Sequence, residues 1–76
     1  MKQVILYTKK NCPLCEEAKQ LLLMLQKDSV FVLNEVDIYE DDNLLEKYQL
    51  MIPVVEVDGI EVDYGQINME QLLQYI

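Results

Sequence analysis

The chain holds two cysteines, Cys12 and Cys15, in "YTKKNCPLCEEAKQLL", with Pro13 directly after the first. Three roles are open to such a pair. The thiols can cycle between dithiol and disulfide, supply half of a tetrahedral metal site, or sit in a core as small apolar groups. A structural zinc held by one chain needs four ligands, usually two Cys pairs or a Cys pair with His. With two thiols and no histidine, zinc would require two copies of the chain. Redox exchange is the favoured reading, because C-x-x-C beside a strand–helix–strand pattern is its expected setting.

The residues around the pair suit that chemistry. Pro13 fits the first position of a helix, where its missing N–H is no loss. Cys12 then becomes the N-cap, and its sulfur lies near the free amides of Leu14 and Cys15. Those donors and the positive end of the helix dipole favour a thiolate. Cys15 falls one turn in, on the same side, at a Cα separation that a disulfide can span. Lys9 and Lys10 support a thiolate, whereas Glu16 and Glu17 oppose it and are explained by the preference of acidic residues for a first helical turn.

Elements able to position the pair can be read on both sides of it. Gln3–Thr8 is a short apolar run of β-formers, a strand buried on both faces. Leu14, Ala18, Leu21, Leu22 and Leu25 share one face of a helix that Lys27–Ser29 ends, with Leu23 off the stripe. Val30–Ile38 is a second strand, so the first helix is the crossover of a parallel βαβ unit. Asn43 and Glu46 are spaced as a capping pair for a second helix, with Leu44, Leu45, Tyr48 and Met51 on its apolar side. Asp58-Gly59 between two β-forming runs predicts a tight hairpin. Gly65 closes the fourth strand, and Asn68 caps a last helix with Gln71 in the capping-box position and Leu72, Leu73 and Ile76 as packing residues. The order β-α-β-α-β-β-α over residues 1–76 describes a single α/β domain, a four-stranded mixed sheet flanked by helices.

Composition bounds the partners. The 76 residues carry a net charge of −8 with no arginine. Phosphate recognition needs a basic face, so nucleic acid is not expected as a partner, and an anionic membrane surface is disfavoured for the same reason. No apolar stretch approaches the ~20 residues of a membrane span, and Lys9–Asn11 end the first apolar run too early for a signal peptide. The expectation is a cytoplasmic monomer, in a compartment where a close cysteine pair is reactive more often than structural. A chain this short buries only roughly 60% of the surface its unfolded form exposes, so its stability margin is modest.

"VILYTKKNCPLCEEAKQLL" resembles the opening strand, active-site loop and first helix of the glutaredoxins, within the thioredoxin superfamily. "IPVVEVDG" resembles their cis-proline segment, and the order of elements agrees over nearly the whole chain. The resemblance implies a thioredoxin-like fold. It also implies Cys12 as nucleophile, Cys15 as resolving thiol, and Lys9 and Pro13 beside them. A cis Pro53 would have Ile52 offering backbone hydrogen bonds to substrate. It implies a disulfide-bearing protein or small-thiol substrate and recycling by a thiol or a flavoprotein reductase. No tightly bound cofactor is expected. Glutathione, or another low-molecular-weight thiol, is the small molecule at issue. Glutaredoxins grip it with a Gly-Gly pair and an acidic residue, and here "DYGQIN" has Gly65 alone, with Tyr64 before it and Ile67 near the acidic position. Weakened glutathione binding is the resulting expectation. The alternative function is a non-catalytic thioredoxin-fold binding module whose cysteine pair is only a redox-sensitive contact.

Overall fold

In the computed structural model, which describes residues 1–76, the first apolar run forms β1, Lys2–Thr8. Its side chains alternate between the faces of the sheet, as the period of a strand requires. Val4 and Leu6 enter one cluster, while Ile5 and Tyr7 go to the other. Helix α1 spans Pro13–Leu25, and β2 spans Phe31–Asp37. A single 3₁₀ turn, Ile38–Glu40, leads into α2, Asp42–Tyr48. Strands β3 (Val54–Val57) and β4 (Ile60–Tyr64) form the hairpin, and α3 is Met69–Leu73. The sheet order is β2-β1-β3-β4. β1 runs parallel to β2 and antiparallel to β3, which pairs antiparallel with β4.

The two faces bury different material. On one, α1 and α3 cover Val4, Leu6, Val55, Val57 and Val62 with Ala18, Leu22, Leu25 and Leu72. On the other, Tyr7, Ile38, Tyr48 and Val54 form a smaller cluster that takes in Leu44, Leu45, Met51 and Ile52. No helix is long and apolar enough to cross a membrane.

Several local expectations are corrected. The inward stripe of α1 is Cys15, Ala18, Leu22 and Leu25, and Leu14 is 40% exposed. One residue is about 100° of helical turn, so the stripe that reaches the sheet runs through Cys15 and leaves Leu14 at its edge. Leu23 is exposed, as its place off the stripe implies. Val30 and Ile38 lie outside β2: Val30 is 79% exposed, while Ile38 opens the 3₁₀ turn and is fully buried.

Helix α2 is capped by Asp41 rather than Asn43. The Asp41 carboxylate accepts the N–H groups of Asn43 (2.8 Å) and Leu44 (3.4 Å) from an extended backbone, the conformation an N-cap requires. Asn68 does cap α3, accepting from Glu70 (2.8 Å) and Gln71 (3.3 Å). Gln71 does not complete a capping box. Its side chain donates to the Val62 carbonyl, and Asp63 takes the Asn68 N–H instead at 2.8 Å. Leu73 is 56% exposed, leaving Leu72 and Ile76 to pack. In the hairpin, Asp58 (φ 49°) and Gly59 (φ 86°) both adopt positive φ, as a tight two-residue turn demands.

Candidate functional site

Two chain segments meet at one end of the sheet. β1 ends at Thr8, four residues before Cys12, and Tyr7 of β1 lies opposite Val54, the first residue of β3. The Cys12 turn therefore leaves the sheet where the Ile52–Pro53 segment enters it. The expected site residues Lys9, Cys12, Pro13, Cys15, Ile52 and Pro53 all belong to these two segments.

The Cys12 turn is built by the start of α1. Cys12 is the N-cap (φ −118°, ψ 103°), Pro13 is the first helical residue, and Asn11 before them takes a positive φ of 56°. The Cys12 sulfur accepts the Cys15 N–H at 3.2 Å, and the Cys12 carbonyl accepts the Glu16 N–H. Cys12 and Cys15 are joined by a disulfide with their Cα atoms 5.2 Å apart. The pair is asymmetric. Cys12 is half-buried and lines an open concavity, whereas Cys15 is only 2% exposed.

That concavity, of about 560 Å³, is lined by Lys9, Lys10, Asn11, Cys12, Pro13 and Glu16. A second, of about 350 Å³, shares Lys9 and Lys10 and is closed by Asp37 and the exposed Tyr39. Asp37 is fixed there because its carboxylate caps the 3₁₀ turn through the Tyr39 N–H at 2.9 Å. Three other lysines are spoken for: Lys19 pairs with Glu35, Lys47 with Glu61, and Lys2 donates to the Tyr75 carbonyl. The Cys12 mouth thus carries two neighbouring cations without ion-pair partners in a chain of net charge −8.

The second segment is held from both ends. The Ile52–Pro53 peptide bond is cis, and Pro53 is buried. The Tyr48 carbonyl, at the last residue of α2, accepts the N–H groups of Met51 (2.8 Å) and Ile52 (3.2 Å). The Gly65 N–H donates to the carbonyls of Met51 (3.0 Å) and Pro53 (2.8 Å). Two sequence expectations change in consequence. The Ile52 N–H is engaged by the end of a helix, whose last carbonyls need donors, so only the Ile52 carbonyl is left for an incoming strand. The Gly65 N–H is likewise spent inside the protein. Gly65 has φ +71°, and a Cβ there would meet nothing within 4 Å. The positive φ by itself favours glycine at this position.

Sequence reasoning read Tyr48 only as one apolar residue of α2, and here it does more. Its ring, 1% exposed, stacks obliquely on Tyr7 with centroids 4.7 Å apart. Its hydroxyl donates to Glu61 of β4 at 2.9 Å, and Lys47 pairs with the same oxygen at 3.3 Å. Burial, reinforced by Glu61, raises the Tyr48 phenol pKa above its usual value. Burial and then the charge of Glu56, which accepts its hydroxyl at 3.3 Å, do the same for Tyr7. The Tyr48 hydrogen bond, followed by Lys47, lowers the Glu61 carboxyl. No sequence period announces this arrangement, because its members come from α2, β1 and β4.

Comparisons with known proteins agree with the architecture. A solution structure of protein Ne2328 from Nitrosomonas europaea superposes with a TM-score of 0.88 at 26% identity, covering 99% of this chain and 91% of that one. A protein from X. campestris gives 0.75 at 26% identity over 95% of this chain and 92% of that one. The thioredoxin-like protein BC3987 gives 0.66 at 28% identity over 96% and 99%. The fold is the thioredoxin-like α/β fold, with its C-x-x-C pair at the start of the first helix. Residues 3–76 match the profile of the Glutaredoxin-like domain (DUF836), and the chain belongs to that family.

Proposed function

We propose that the protein is a thiol–disulfide oxidoreductase that reduces disulfides with the Cys12–Cys15 dithiol. The observation that carries this reading is the asymmetry of the pair: Cys12 opens to a concavity with an N–H on its sulfur, and Cys15 is shielded behind it. In the reduced protein the first amides of α1 and the cations Lys9 and Lys10 favour a thiolate at Cys12, while Glu16 in the same concavity opposes it. The thiolate attacks one sulfur of the target disulfide. That S–S bond breaks, the departing sulfur takes up a proton, and a mixed disulfide joins Cys12 to the target. Cys15 then loses its proton and attacks the Cys12 sulfur, releasing the second target thiol. Two electrons pass to the target, and the protein is left with the Cys12–Cys15 disulfide.

The substrate is held, in this reading, between the Cys12 turn and the Met51–Pro53 segment. The Ile52 carbonyl accepts a backbone N–H of the bound half-cystine, and Lys9 and Pro13 flank it. Glutathione is a poor fit. Tyr64 stands where a glycine would open the approach, Ile67 cannot accept a hydrogen bond from an ammonium group, and the Gly65 N–H is already engaged. Loss of one charge-assisted hydrogen bond alone weakens binding about ten- to a hundredfold. The proposed substrate is a disulfide-bearing protein or a small thiol other than glutathione, with a flavoprotein reductase proposed for recycling.

The test is turnover of a small disulfide substrate with NADPH and either reducing system. Wild-type protein is expected to turn over with a thioredoxin-type flavoprotein reductase and to do so slowly with glutathione and its reductase. Turnover at rates typical of dithiol glutaredoxins in the glutathione system would overturn the reading of Tyr64–Asn68. Failure to accept electrons from any reductant would overturn the oxidoreductase reading.

A further inference from the structure

We infer that Tyr48 is a positioning residue that sets the Met51–Pro53 side of the substrate groove through its hydroxyl. The inference rests on the oxidoreductase reading above and deepens it. Its ground is a closed circuit of hydrogen bonds. From the Tyr48 carbonyl the circuit runs to the N–H groups of Met51 and Ile52, then along the chain to Pro53. The Pro53 carbonyl accepts the Gly65 N–H, and Gly65 follows directly on β4. β4 carries Glu61, which accepts the Tyr48 hydroxyl at 2.9 Å and so returns the circuit to its start. The two anchors of the segment, Tyr48 on α2 and Gly65 after β4, are thus tied to each other by one phenol. Its buried ring rests on Tyr7, the last residue but one of β1, from which the chain runs on to Cys12. One side chain therefore touches both supports of the groove while lying outside it.

A brace of this kind acts on substrate binding and leaves the sulfur chemistry alone. Tyr48→Phe removes the hydroxyl and keeps both the ring and the carbonyl. The expected result with a peptide disulfide substrate is a KM raised about fivefold, in line with loss of a hydrogen bond to a charged acceptor partly exposed to water. kcat and the pH profile of Cys12 alkylation stay as in wild type. Glu61→Ala also releases Lys47, so it should cost at least as much as Tyr48→Phe, and the double variant should be no worse than Glu61→Ala alone, in which the Tyr48 bond is already broken. Glu61→Gln, which keeps an acceptor oxygen but not the charge, should keep the KM closer to wild type than Glu61→Ala does.

A second readout does not depend on activity. In Tyr48→Phe the amides of Met51, Ile52 and Gly65 should exchange with solvent about fivefold faster, while those of β1 keep their protection. An unchanged KM, an alkylation profile that moves with the variant, or unchanged exchange at those three amides would each overturn the assignment. If the wild-type protein reduces no disulfide, the functional reading fails. The exchange experiment would still report on whether the brace exists.

Discussion

The Cys12 turn and the Met51–Pro53 turn lie at the same end of the sheet, yet they are held by different means. Everything that fixes Cys12 lies within four residues of it: Pro13 starts the helix, the Cys15 N–H reaches the sulfur, and the Glu16 N–H reaches the carbonyl. The Met51–Pro53 turn has one local anchor, the Tyr48 carbonyl at the end of α2, and one distant anchor, the Gly65 N–H from beyond a whole hairpin. The reactive half is a local motif that a helix N-terminus builds almost unaided. The docking half is a tertiary product, and its geometry can be loosened from a distance without touching a sulfur.

Substitutions should separate the two halves. The largest effect is expected at Cys12: Cys12→Ser should abolish turnover, while Cys15→Ser should still attack and then remain trapped as a mixed disulfide, visible as an adduct by intact mass. Equal loss without an adduct in Cys15→Ser would mean that the first attack is not made by Cys12. The next largest concerns the docking half. Gly65→Ala places a Cβ at φ +71° and should lower stability by about 1–2 kcal/mol, measured by denaturant unfolding, with a raised KM. Gly65→Asn should lose less, because asparagine tolerates this backbone region better. A neutral Gly65→Ala would show that the segment is not held as described.

Smaller effects lie outside both halves. Asn68→Ala removes two hydrogen bonds at the start of α3 and should cost about 1 kcal/mol of stability without altering KM or Cys12 reactivity. The weakest effect is a pH dependence of the Tyr7–Tyr48 face. A phenol whose pKa is raised by folding contributes stability that is fully present below its unfolded value of 10.0 and lost as pH rises through the folded value. Stability should therefore fall above about pH 10, and less steeply in Tyr48→Phe. Glu61 gives the mirror case: its carboxyl is lowered, so its contribution is present above 4.5 and fades as pH falls through the folded value. Because Glu61 is largely exposed, that acid-side change should be slight.

The same contrast explains what could be read from the sequence. The element order, the C-x-x-C at a helix start, the Asp58-Gly59 hairpin and the Asn68 cap are signals carried by residues close in the chain, and all appear in the structure. The helix face shifted by one position at Leu14, because the spacing of leucines does not say which neighbour the sheet will select. Asp41 displaced Asn43 as a cap because "YEDDN" offers three capping residues in a row, and only the backbone angles choose among them. The engagement of the Gly65 amide was not legible at all. It depends on where the end of β4 meets the Met51–Pro53 segment, and no short-range pattern encodes that meeting.

The asymmetry of the cysteine pair is tested most directly by alkylation of the two single variants across pH. Cys15→Ser protein, which keeps Cys12, should react with an apparent pKa below the ordinary thiol value of about 8.5. Cys12→Ser protein, which keeps the buried Cys15, should react more slowly at neutral pH and show no such depression. Faster reaction of Cys15 at neutral pH, or a Cys12 that titrates like a free thiol, would contradict the assignment of Cys12 as nucleophile.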